Sequence, residues 1–277
     1  MGIILGLLAA AFYGAADFCG GVATRRSPIF AVTVISQAVG LVLLCAAVPF
    51  LHGRFTPAAG VYGALGGLCG GIGLALLYHA LSIGKMGVVS PITAVLAAAL
   101  PVVIGVAHGE RFTAWEALGM ALALVAVVLI SLSHEPDGRL EFSTTGVKEA
   151  IASGIVLGGF YTFLALAGKD AGVYPLLSAR FASTAFLGIA ALVSRNSIVP
   201  LRATVPVIVL AGAIDMTANG LYLYAAYAGY LSVAAVLTSL YPASTVFLAR
   251  AVLGERLANV QKIGVALALA GVLLIAL

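Results

Sequence analysis

Charge is what this sequence has least of. Only 9% of its 277 residues are charged, against 62% hydrophobic. A soluble domain carries roughly 25% charged residues, so a large core alone does not explain this balance. The chain instead repeats uncharged runs of about 20 residues, the length of a membrane-spanning helix. Strict alternation in short segments of about 10 residues, the mark of a membrane barrel, is missing. Cysteine is scarce: Cys19, Cys45 and Cys69 are odd in number, lie in apolar runs and lack metal-ligand spacing, so they read as small core hydrophobes. The four histidines, His52, His79, His108 and His134, are scattered one per region. No nucleophile motif accompanies them, which argues against a membrane enzyme and against a metal site. The net charge of +4 lies in the loops without forming a basic patch, so no nucleic-acid partner is expected. The first apolar run is too long, and lacks the basic start, for a cleavable signal.

What is present is a repeat. Gly109-Glu110-Arg111 recurs 145 positions later as Gly254-Glu255-Arg256. At that offset Gly119 falls on Gly264, Gly84 on Gly229 and Thr93 on Thr238. One long period means two related halves. Ten spans follow from the apolar runs: Gly2–Ala23, Phe30–Phe50, Ala58–Leu81, Val88–Ala107, Ala114–Leu132, Glu149–Gly168, Tyr174–Ser194, Ala203–Ala228, Leu231–Arg250 and Val260–Leu277. The longest polar stretch separates spans five and six. The expected organisation is a first five-helix repeat at 1–132, a linker at 133–146 and a second five-helix repeat at 147–277. Five is odd, so the second copy enters the membrane from the opposite side. The expected fold is therefore an all-α integral membrane protein of ten transmembrane helices in two inverted five-helix repeats.

Gly63, Gly67 and Gly71, with Gly66 and Gly70 beside them, give span three a small-residue face for helix contact in lipid. No strand precedes these glycines and no Lys-Ser/Thr follows them, which argues against a phosphate loop and a nucleotide cofactor. Lysines and arginines number ten on one side of the expected membrane and three on the side that holds both termini. Positive residues favour the cytoplasm, so this count places both termini outside it.

Leu240-Tyr241-Pro242 lies ahead of Leu253-Gly254-Glu255-Arg256, with Gly264 and Gly271 beyond. This pattern resembles the signature of EamA-type proteins in the drug/metabolite transporter superfamily. Gly212, Gly220 and Tyr222-Leu223-Tyr224-Ala225 also fit it, as does the five-plus-five layout, so the resemblance covers essentially the whole chain. The first half departs from the pattern: Ala97 stands where the second half has Pro242, and the nearest prolines are Pro91 and Pro101. The resemblance implies a secondary-active permease or exporter of small organic metabolites or drugs, working in the cell membrane by alternating access. It implies a gradient as the driving force, with a proton as one candidate coupling ion, and no ATP or bound cofactor. It leaves the substrate open, because the superfamily spans amino acids, sugars, nucleotide sugars and cationic drugs. Members are usually drawn with both termini in the cytoplasm, opposite to the charge count. A passive facilitator or channel for small solutes is the alternative, and the residues separate it poorly from a carrier.

Ionisable groups inside spans are costly, by roughly 2.5–3.5 kcal/mol on insertion scales, and this chain has few. Asp17 lies in span one, Arg180 in span seven and Asp215 in span eight. In one reading Arg180 and Asp215 are a structural pair between adjacent helices of one half. In the other, Asp215 or Asp17 binds a proton or a cationic substrate group and Arg180 faces an anionic one. Small multidrug resistance proteins, distant members of the same superfamily, also place an acidic residue in their first helix, and Asp17 is loosely similar in position. Asn219 shares a helix face with Asp215, and Tyr222 extends it. Tyr13, Tyr78, His79 and Tyr241 add polar aromatic groups, and Gln37 aligns roughly with Arg180 from the other half. Tyr227 and Tyr230 read as an interfacial belt. Pro91, Pro101 and Pro242 each remove a backbone donor, and such breaks mark either a substrate path or ordinary kinks. The Glu110-Arg111 and Glu255-Arg256 pairs read as helix-end charges that fix short turns.

Overall fold

The computed structural model describes residues 1–84, 86–131, 145–253 and 259–276. Among the described residues the regular structure is helical throughout: α1 (Gly2–Thr24), α2 (Ile29–Ala47), α3 (Pro57–Ile83), α4 (Met86–Ala107), α5 (Ala114–Ser131), α6 (Val147–Leu166), α7 (Tyr174–Val193), α8 (Val205–Ala228), α9 (Leu231–Thr238), α10 (Tyr241–Leu253) and α11 (Asn259–Ala276). Local signals set several of the starts. The Thr56 hydroxyl accepts from Ala59 N at 3.0 Å and Pro57 opens α3, where a missing N–H costs nothing. At α5, Thr113 N donates to Glu116 Oε2 at 2.8 Å while Glu116 N donates to Thr113 Oγ1 at 3.1 Å, a reciprocal capping box. Prolines also sit in the first turns of α7 and α8.

The expected ninth span is not continuous. It divides into α9 and α10 at Ser239 and Leu240. Pro242 is the cause: it cannot donate to the carbonyl of Thr238, so it takes a first-turn position in a new helix instead. The α4 helix, by contrast, runs through both Pro91 and Pro101. Seven helices are long and apolar enough to cross a membrane, and the stretches Ala114–Leu129, Leu231–Thr245 and Lys262–Ile275 are shorter apolar helices. The expected linker, 133–146, lies outside the described residues except for Thr145 and Gly146.

Helix pairing repeats when the two halves are exchanged. The α1–α8 contact has its counterpart in α6–α3, and α3–α7 in α8–α2. The α4–α6 contact has its counterpart in the packing of α9 and α10 on α1, while α2 meets α7 and α5 meets α11. This is the pairing expected of a duplicated five-helix unit whose copies exchange places about a two-fold relation.

Missing side chains make the contacts close. A Cβ on Gly67 would stand 2.6 Å from Ala179 Cα in α7, and at the repeat offset a Cβ on Gly212 would stand 2.9 Å from Ser36 Cα in α2. The second glycine row of α3 faces α6, where a Cβ on Gly70 would meet the Phe160 ring at 2.8 Å. In lipid the hydrophobic effect does not press helices together, so close backbone approach carries the packing. The outer faces keep their large apolar side chains exposed, among them Val42, Leu65, Phe181, Ile189 and Leu269, as a lipid-facing surface requires. Cys45 lies on this exposed surface, not in the core as its apolar run implied, and Cys19 and Cys69 are half-buried.

Candidate functional site

A cavity of about 40 Å³ lies between the halves, walled by α1, α2 and α3 from the first and α6, α7, α8 and α10 from the second. Of the residues singled out from sequence, Tyr13, Asp17, Gln37, Arg180, Asp215, Asn219 and Tyr241 line it.

The polar side is one connected network. Arg180 donates to the Gln37 side-chain oxygen through one guanidinium nitrogen and pairs with the Asp215 carboxylate through the other. Ser183, a turn further along α7, donates to Gln37 Oε1 at 3.2 Å. Asn219 Nδ2 donates to Asp215 Oδ2 at 3.1 Å, and the Asn219 side-chain oxygen accepts from Tyr13 Oη at 2.8 Å. The chain Tyr13–Asn219–Asp215–Arg180–Gln37 therefore begins and ends in the first half and passes through the second. The alignment of Gln37 with Arg180 is a direct hydrogen bond. Helix α2, packed on both α7 and α8, thus adds Gln37 to the Arg180–Asp215 pair as a third residue.

Asp17 differs. It is only 5% exposed and lines the same cavity, and among the described residues no hydrogen bond or ion pair reaches it. Two carboxyl groups thus share the cavity with one guanidinium, and that guanidinium is committed to Asp215. An unpaired charge so placed is expensive. A proton or a cationic group at Asp17 removes the imbalance.

The opposite wall is aromatic. Tyr161 stands edge-on to Tyr13 with ring centroids 5.9 Å apart and meets Phe160 at 5.3 Å. Sequence reasoning placed neither Phe160 nor Tyr161 here; the Gly66, Gly70 and Gly73 row on the facing helix was the available signal. Tyr241 reaches the cavity because the α9–α10 break restarts the helix at that residue, and its hydroxyl donates to the Ser90 carbonyl at 3.4 Å.

Three expected residues fall outside the lining. Tyr222 does not extend the Asp215–Asn219 face into the cavity; its ring packs tilted against that of Tyr161 with centroids 4.6 Å apart, and its hydroxyl donates to the Tyr161 carbonyl at 3.2 Å. Tyr78 is fully buried against Gly20, and His79 is half-buried on the next position. Neither Tyr78 Oη nor His79 Nδ1 has a hydrogen-bond partner among the described residues. Tyr227 donates to the Gly172 carbonyl at 3.3 Å, and Tyr230 is exposed.

Glu110 also departs from expectation. It does not merely close its own turn: its two carboxylate oxygens accept from Leu231 N at 2.6 Å and Ser232 N at 3.2 Å, at the start of α9 in the other half. Glu255 and Arg256 lie outside the described residues.

A duplicated helical bundle enclosing a small polar cavity in an otherwise apolar body has the build of a membrane solute carrier. The EamA-like transporter family matches residues 1–132 and 144–277, and the chain belongs to that family. It is accordingly a multi-pass membrane transporter of small solutes, and the family is not an enzymatic one. A protein of Methanocaldococcus jannaschii, MJ1333.1, is 30% identical over 135 residues, covering 48% of this chain and 97% of its own length. That relative is about one half of this chain long, so the repeating unit also occurs as a chain of its own. A crystal structure of a protein at 17% identity superposes with a TM-score of 0.77 over 100% of this chain and 98% of the other, which shows the shared fold.

Proposed function

We propose that the protein is a secondary-active carrier of small organic metabolites or drugs in the cell membrane. It works by alternating access, with Asp17 as the group that takes up a proton or a substrate cation. The observation that supports this reading is the unpaired Asp17 carboxyl in a cavity shared by both halves. A cavity volume of about 40 Å³ is several times the roughly 10–15 Å³ that a single water requires. A hollow of that size accommodates a few waters or a hydrated ammonium-sized head, and the body of a larger solute needs the two halves to part. Arg180 does not serve as a free anion site in this arrangement, because Asp215 balances its charge and Gln37 holds its other terminal nitrogen.

Transport in liposomes tests the reading. A proton gradient should drive saturable accumulation of a substrate found by screening small amines, amino acids and metabolites. Asp17→Asn should abolish that accumulation while leaving the protein folded, since the amide is isosteric and breaks no observed bond. Unchanged accumulation with an unchanged pH profile in Asp17→Asn removes Asp17 from the coupling role. Flux that never saturates with substrate favours the passive facilitator.

A further inference from the structure

Hydrogen bonds join the two halves at both ends of the bundle, and the two ends are built differently. At the end where the chain starts, the turn before α5 docks on the start of α9. There Glu110 accepts from Leu231 N and Ser232 N, Ser232 Oγ donates to the Val102 carbonyl at 3.4 Å, and Phe112 meets Tyr230 edge-on at 5.9 Å. Arg54 N, from the turn between α2 and α3, also donates to the Asp170 carbonyl at 3.1 Å. At the far end the contacts use neutral groups. Ser27 and Thr204 share a hydrogen bond of 2.7 Å, and Leu201 N donates to Ser27 Oγ at 2.9 Å.

We propose that Glu110 is a positioning residue for transport, the latch that holds the N-terminal end of the cavity shut. Three features single it out. Its bonds are charge-assisted and so about twice as strong as neutral ones. Its carboxylate sits on the positive end of α9. And α9 is an eight-residue unit with a break behind it at Ser239 and Leu240, just before the cavity residue Tyr241. Released from Glu110, α9 turns about that break and swings away from the α10 start at Tyr241, which opens the N-terminal end. Gly105 makes the latch possible: a Cβ there would stand 2.7 Å from Glu110 Cδ. Alanine at Gly105 therefore displaces the same carboxylate without removing it.

The inference rests on the alternating-access reading, but its test needs no substrate. Leu157→Cys, on the cavity wall, serves as reporter in a chain whose three native cysteines are replaced by alanine. A membrane-impermeant cationic methanethiosulfonate is applied to one side of oriented proteoliposomes at a time. Glu110→Gln should raise the labelling rate about tenfold from the N-terminal side and leave it unchanged or lower from the other, because a latch biases one opening against the other. Gly105→Ala should do the same, and Ser27→Ala should raise labelling from the opposite side. Equal acceleration from both sides, or no change in Glu110→Gln and Gly105→Ala, overturns the proposal. If Glu110→Gln fails to fold, Gly105→Ala and the pattern of sidedness decide alone. One-sided labelling without any gradient-driven transport would leave the latch standing and sink the carrier reading.

Discussion

Removing Arg180 or Asp215 singly should damage this protein far more than removing both. Arg180 is 4% exposed and Asp215 8%, so solvent screens their interaction little. Arg180→Met strands the Asp215 carboxylate with only Asn219 as donor. Asp215→Leu strands a guanidinium with only the neutral Gln37 oxygen. Breaking a buried pair by deleting one partner costs about 3–5 kcal/mol. The methionine variant should fall near the lower figure, because Asn219 still donates to Asp215, and the leucine variant near the upper. The double variant replaces two charges with apolar groups of similar volume and should cost no more than about 1–2 kcal/mol, because neither desolvated charge remains. The coupling energy is then at least ~5 kcal/mol, and each single variant should melt roughly 6–20 °C lower in detergent at about 2–4 °C per kcal/mol. A thermal unfolding cycle on the four proteins measures it. If the two single losses add to the double loss within ~0.5 kcal/mol, the network is not a coupled unit and the account of the polar wall is wrong.

Further outcomes follow from the packing. Gly67→Leu should prevent α3 from seating on α7, with a loss of stability of about 3 kcal/mol or more by overpacking, whereas Gly188→Ala, with nothing within 4 Å of its Cβ, should cost nothing and serve as the control in the same melting assay. Tyr222→Phe should lower stability by about 1 kcal/mol through loss of one neutral hydrogen bond and leave the substrate KM unmoved, because its hydroxyl faces the Tyr161 backbone and not the cavity. A tenfold rise in KM would return Tyr222 to the lining.

The repeat is the part of this architecture that was plain in the sequence, because a 145-residue offset in glycines survives where side chains are free to drift. Gly67 and Gly212 lie on that offset, and each turns out to seat one half on the other. Ionisable residues were also easy to find, since so few occur in apolar runs, and Asp17, Arg180 and Asp215 all reach one cavity. The partners were less legible. Gln37 and Arg180 are 143 positions apart, and Tyr13 and Asn219 are 206 apart. Helical spacing put Tyr222 on the face of Asp215 and Asn219, but the large Tyr161 ring stands between it and the cavity. Glu110 looked like a local helix-end charge because nothing near it in the chain shows that α9 begins beside it.

Composition and periodicity alone determined that this chain lives in a bilayer as a doubled set of helices, because apolar length and small-residue spacing are local properties that lipid selects directly. Which carboxyl is paired and which stands alone, and which turn meets which helix of the other half, was decided only when helices distant in sequence packed together. Those outcomes depend on distances of a few ångströms between halves, and no local pattern encodes them.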